Sequence, residues 1–190
     1  SQSGKNLEAI AYLEQAVSKE PSNKKYHQAL TEMKQQLVSE YVAEGEKILS
    51  VDNGQTISAI NMAKTKLSMA EDVDKNSEVV KAYAEKLNTA ESGLVAEVEE
   101  LYGSAKSAVE SGDWLKAQFA LQQIQSRFPG YEGSMQLLAQ VTSEGSQDYF
   151  TQGKTSFEDE NFQQAAAMLE KALVLKMDHL EARDLLTQAR

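Results

Sequence analysis

The 190-residue chain contains no cysteine, which excludes a disulfide framework, a thiolate metal site and a cysteine nucleophile while leaving cytosol and periplasm both open. It has two prolines and ten glycines, too few to punctuate a many-stranded β-fold, whose turns need residues that tolerate positive φ. No apolar run approaches the roughly 18 to 20 residues that cross a bilayer, so direct membrane insertion is not expected. Basic residues are scarce as well. Nineteen Lys and Arg against 29 Asp and Glu leave a formal net charge of −10, and that sign repels nucleic acid and anionic lipid, excluding both as partners. The opening Ser1-Gln2-Ser3-Gly4 has neither an initiator Met nor a signal-peptide pattern, so a cut or processed end is expected there. What is present, 41% hydrophobic and 25% charged residues, is an ordinary globular composition.

Apolar residues recur at helical spacing almost throughout, and period-two alternation is nowhere sustained. The pattern predicts helices over about 7–19, 23–50, 56–70, 77–111, 114–127, 132–159, 162–175 and 179–188. Pro21 stops the first, since proline lacks an N–H and disfavours helix in the residue before it. Val51-Asp52-Asn53-Gly54 reads as a turn, and the polar run Glu71 to Asn76 is expected to end the third helix. Gly112-Asp113 closes the fourth, the glycine permitting a left-handed residue and the aspartate offering an N-cap oxygen to the next helix. Short and long helices therefore alternate.

A period underlies the alternation. A shift of 48 places Leu101, Ala105, Asp113, Trp114, Ala117 and Leu121 on Tyr149, Gly153, Asn161, Phe162, Ala165 and Leu169, each pair alike in character. A shift of 108 places Ala9, Leu13, Pro21, Tyr41 and Gly45 on Ala117, Leu121, Pro129, Tyr149 and Gly153. A shift of 57 brings Ile57, Ile60 and Leu67 onto Trp114, Ala117 and Ile124, so Ala9, Ile60, Ala117 and Ala165 are spaced 51, 57 and 48, a 48-residue unit with about three extra residues in one turn and nine elsewhere.

The pattern Leu101-x3-Ala105-x3-Val109-x4-Trp114-x2-Ala117-x3-Leu121-x2-Ile124-x4-Pro129, and its counterpart from Tyr149 to Leu173, resemble tetratricopeptide repeats. The resemblance implies an all-α fold, an α-solenoid of antiparallel helix pairs, in which small residues let the two helices of a pair approach. The family's unit is about 34 residues, so a 48-residue unit adds about 14, or roughly 21 Å of helix. Lengthening the first helix of each pair at its N-terminal end accommodates them. The chain then reads as one repeat domain with units at about 1–21 (partial), 22–75, 76–131, 132–179 and 180–190 (partial or capping). Because terminal repeats normally carry a polar cap, an excerpt of a longer protein or self-association through exposed terminal repeats is expected.

Chemistry finds little purchase. His27 and His179 lie at helix starts and in no metal-ligand spacing, with Asp178-His179 reading as an N-cap region. The clusters Glu97, Glu99, Glu100 and Glu158, Asp159, Glu160 read as solvated faces, because paired carboxylate catalysis requires burial to separate the pKa values. No glycine-rich phosphate loop follows a strand, and no cofactor or metal is expected. The helix-interior glycines each cost about 1 kcal/mol relative to alanine. Close helix crossing accounts for Gly45 and Gly153, which share a repeat position, and a local bend or tight contact is expected at Gly93, Gly103 and Gly145. Trp114, Phe119, Phe128 and Phe162 are assigned to the core.

One face repeats in a way that chemistry can use. Tyr102, Lys106 and Val109 correspond to Phe150, Lys154 and Phe157, an aromatic, a lysine and an apolar residue at i, i+4 and i+7. The resemblance implies that these residues line a groove for a protein or peptide, with lysine meeting a carboxylate and the aromatic packing on an apolar side chain. The competing reading packs the apolar members between helices while each lysine extends to solvent. The function expected is a non-enzymatic protein-interaction scaffold, part of a larger bacterial-type assembly or multidomain protein. The alternative is a structural spacer or self-associating helical rod.

Overall fold

The computed structural model describes residues 2–52 and 55–190, and they are helical with short connections. The elements are α1 (Gln2–Lys19), α2 (Lys24–Asp52), α3 (Ile57–Asp74), α4 (Glu78–Glu110), α5 (Trp114–Arg127), α6 (Ser134–Gln140), a π-helical turn (Val141–Gly145), α7 (Ser146–Glu158), α8 (Phe162–Leu175) and α9 (Leu180–Ala189). The fold is all-α with helices packed in adjacent pairs, the arrangement of an α-solenoid. It divides into two compact units, residues 1–95 and 96–190, with the division inside α4.

In the first unit α2 packs against α1 on one side and α3 on the other. In α2 Leu37, Val38, Tyr41, Val42 and Leu49 are buried, and α3 answers with Ile60, Ala63, Ala70 and Val73. Thr56 starts α3, its Oγ1 accepting from the Ala59 N–H at 3.3 Å. The acidic run at 71–74 does not end the helix, as its polarity suggested. Val73 is buried, and that contact carries the helix on to Asp74. Val51 and Asp52 belong to α2 rather than to the expected turn, whose Asn53 and Gly54 lie outside the described residues.

The second unit shows the 48-residue period in its backbone. After α4, Gly112 takes φ +74° and the Asp113 N–H reaches back to the Ala108 carbonyl at 2.8 Å; after α7, Glu160 takes φ +59° and the Asn161 N–H reaches Ser156 at 2.8 Å. Both ends are Schellman closures. Asp113 and Asn161 then cap α5 and α8, each accepting from a backbone N–H at 3.3 Å. At the far ends, Phe128 and Lys176 both leave the helix in extended conformations while bonding to Ile124 and Ala172. The matched turns explain why α5 and α8 keep the bounds expected from sequence, each 14 residues long.

The extra residues are helical. The segment before Tyr149 continues back through α7, the π-turn and α6, so the first helix of the pair is extended at its N-terminal end. Where an unbroken helix was expected over 132–159, five residues adopt the π form. Gly145 lies at its end, and a Cβ there would stand 2.7 Å from the Trp114 side chain and 2.8 Å from Leu175. Next to it, buried Ser146 donates to the Ala172 carbonyl at 2.9 Å. The glycine is thus a tight contact, as expected, and the π-turn is the local distortion accompanying it.

Gly153 also meets expectation, since a Cβ would press on Leu169 at 2.8 Å and on the Ala165 carbonyl at 3.3 Å, where α7 crosses α8. Gly45 is tight for another reason: its close neighbour is Tyr83 of α4, not the paired helix α3. Gly93 and Gly103 contradict the expectation of a bend or tight contact. Both sit within continuous α4 with open space where a side chain would go.

Candidate functional site

Two of the aromatics assigned to the core are largely outside it. Phe119 is 65% and Phe162 46% exposed, while Trp114 and Phe128 are half-buried. Helical period fixes the face on which a residue lies, but Phe162, at the start of α8, extends past the layer that covers its backbone. Phe162 packs edge-on against Phe157, with ring centroids 5.3 Å apart. Trp114 turns its indole N–H outward to the Asp148 carboxylate at 2.8 Å. Glu97, Glu99, Glu100, Glu158, Asp159 and Glu160 are all exposed, and Glu97 pairs with Arg127.

The two copies of the repeated face are built alike but finished differently. In the first, Tyr102 stacks edge-on with Tyr131 at 5.5 Å, and the Lys106 ammonium lies 4.6 Å from the Tyr102 ring centroid. The Tyr102 hydroxyl reaches the start of α6, where it occupies the place a Cβ on Gly133 would need, 2.5 Å away. Gly133 has φ +78°, so the backbone there also favours glycine. Burial, then the charges of Glu99, the neighbouring Tyr102 and Glu132, push the Tyr131 hydroxyl above the ordinary tyrosine range. Val109 is half-buried. This copy is closed over by the chain's own Tyr131.

In the second copy Phe150 stacks on His179 at 4.8 Å, the same pairing 48 residues on. His179 is also the N-cap of α9, its Nδ1 accepting from the Ala182 N–H at 3.3 Å. Phe150 has no hydroxyl to project, and the position matching Gly133 carries the side chain of Glu181. A groove of about 510 Å³ opens between α7 and α9, and Phe150, Lys154 and Phe157 line one wall of it. Leu185, Glu181 and Asp184 line the other. Lys154 is exposed, with Glu158 4.0 Å away one turn along α7.

The six residues singled out by the repeat therefore do not form one continuous site. Phe150, Lys154 and Phe157 share a groove, whereas Tyr102 and Lys106 are engaged with each other and with the entry to α6. The residues on the opposite wall, Glu181, Asp184 and Leu185, were missed in the sequence. A signal was available at two positions: under the 48-residue shift Glu181 and Asp184 replace Gly133 and Gln136, while Leu180 and Arg183 replace Glu132 and Met135 and leave the net charge of the stretch unchanged.

A second apolar depression, about 420 Å³, lies beside the π-turn, where Met135, Leu138, Ala139 and Thr142 meet Lys176. Among the described residues no helix is long and apolar enough to cross a membrane.

Residues 149–183 match the SHNi-TPR family, and they run from the middle of the extended first helix through α8 into α9. The matched stretch contains the Phe150–Lys154–Phe157 wall and ends just past Glu181. No curated protein and no solved structure matches the chain. With its helix pair, matched caps and small-residue crossing, the chain carries over residues 149–183 a repeat of the tetratricopeptide type, a non-catalytic kind of module that serves protein–protein interaction.

Proposed function

We propose that this protein is a non-enzymatic interaction scaffold that receives a peptide or protein segment in the groove between α7 and α9. The observation that carries the reading is the groove itself. Phe150, Phe157 and Leu185 supply apolar surface around a trough open to solvent, and charged side chains stand along its rim. That combination gives affinity from desolvated apolar contact and selectivity from a few polar groups. One groove wall comes from α9, whose start is fixed by the His179 cap, so little ordering entropy opposes binding there.

Capture from native extract tests it, using Phe157→Ala and Leu185→Gln variants that retain helicity and thermal stability. The proteins retained by the unaltered chain are expected to be lost. Retention of the same proteins by both variants would show that this face is not the docking site.

The spacer or self-associating rod has a specific observation in its favour: Leu7 and Tyr12 on α1 are 47% and 71% exposed. Apolar surface of this kind can pair copies of a chain. A molar mass that rises with concentration, and stops rising on Tyr12→Ser, would favour it; a monomer at every concentration would set it aside.

A further inference from the structure

We propose that the segment bound between α7 and α9 is basic: an aromatic or aliphatic anchor flanked by Lys or Arg. This rests on the interaction reading above and adds the chemistry of the occupant. The lining of the open copy carries the argument. In the first copy Lys106 and Glu110 stand where Lys154 and Glu158 do, Gly133 and Gln136 stand where Glu181 and Asp184 do, and the acids Glu99 and Glu132 lie beside Tyr131 instead. In the second, Lys154 faces Glu158, Glu181 and Asp184, one positive charge against three negative, for a local excess of −2.

The change is coupled to space. Tyr102 needs a glycine opposite because its hydroxyl fills the Cβ position of Gly133. Phe150 lacks that hydroxyl, and the freed place holds a carboxylate side chain, Glu181, beside an open groove. One copy is therefore closed by the chain's own aromatic ring, with Glu99 and Glu132 beside it, while the other is open and lined by three carboxylates against one lysine.

Lys154 does not recruit a partner carboxylate against this field. Its nearest anion is Glu158, on its own helix, and neither Glu181 nor Asp184 is in an ion pair among the described residues. An incoming carboxylate would meet two uncompensated negative charges. Lys or Arg would relieve them, since like charges oppose docking and complementary rims speed it. Charges this exposed act over a Debye length of about 8 Å at physiological ionic strength.

A displayed random-peptide library panned against the full chain tests the proposal, with synthetic representatives of the enriched sequences then titrated against variants. Enriched peptides are expected to carry Lys or Arg around an aromatic or aliphatic residue, to bind Glu181→Lys/Asp184→Lys about tenfold more weakly, and to weaken with salt. Both substituted positions are exposed, so folding is preserved. Neutral or acidic peptides that ignore the charge reversal but are lost with Phe157→Ala would overturn the basic occupant and leave the groove reading standing. If Phe157→Ala melts early, Leu185→Gln replaces it. Peptides indifferent to the apolar wall, or no enrichment at all, would overturn both.

Discussion

The Tyr83 hydroxyl sits where a Cβ on Gly45 would be, 2.0 Å from the ideal position of that atom. Tyr83 is 2% exposed and its hydroxyl lies 3.5 Å from the Ala63 carbonyl, so the ring has no free space into which it can retreat. Gly45→Ala therefore destabilises the first unit by about 2 kcal/mol, although alanine is the better helix former by about 1 kcal/mol. Urea unfolding checks this. Combining the change with Tyr83→Phe recovers part of the loss and not all of it, because the ring carbon bearing the hydroxyl would still be 2.8 Å away.

Gly93 and Gly103 predict the opposite sign. Nothing lies within 4 Å of a Cβ at either position, both are inside α4, and neither has positive φ. Gly93→Ala and Gly103→Ala each raise stability by about 0.5–1 kcal/mol, through helix propensity and a less flexible unfolded chain. Thermal melts of the two variants beside Gly153→Ala, which lowers stability, separate open glycines from those at a crossing.

The same turn is made with different residues 48 positions apart, and this gives a third expectation. Gly112 takes φ +74° at no steric cost, while Glu160 takes φ +59° with a side chain that disfavours it. Glu160→Gly stabilises the second unit by about 0.5–1 kcal/mol, and Gly112→Glu costs about 1 kcal/mol. Chemical denaturation of both variants measures the pair. Negligible effects at both positions would mean that the left-handed residue does not set the stability of either turn.

Tyr83 also links stability to pH. Burial first, and then the Glu46 carboxylate, push its hydroxyl up to about 12 from an ordinary 10. The folded chain thus holds a proton that the unfolded chain releases. Its contribution is complete below about pH 10 and declines as pH rises toward 12, amounting to about 3 kcal/mol at the limit. Tyr83→Phe should reduce the loss of stability between about pH 9 and about pH 11, read by urea unfolding at each pH. Tyr149, raised mainly by burial and then by Asp113, supplies a residual slope in both proteins.

Much of the architecture was legible because residues that end helices are local. Asp113 and Asn161 announce N-caps in the sequence, and both cap in the structure, which is why α5 and α8 fall on their expected bounds. His179 likewise caps α9. Features that depend on contact between distant residues were not legible. The π-turn at Val141–Gly145 has no local marker beyond one glycine, and its close neighbours are Trp114 and Leu175. Val73 carries α3 through an acidic run because it is buried, a fact that polarity alone conceals. The groove shows both sides. The repeat put Phe150, Lys154 and Phe157 on one wall, but the opposite wall comes from α9, and only reading Glu181 and Asp184 against Gly133 and Gln136 would have revealed its charge.

Site-directed photo-crosslinking tests the interaction claim most directly. A photoreactive side chain placed at Lys154 in the groove is compared in native extract with the same group at Phe119 and at Met177, which are 65% and 80% exposed. Discrete adducts are predicted at 154, weak ones at 119 and 177, and loss of the 154 adducts when Phe157→Ala is added. Adducts equally strong at all three positions, or none at 154, would contradict a docking groove between α7 and α9.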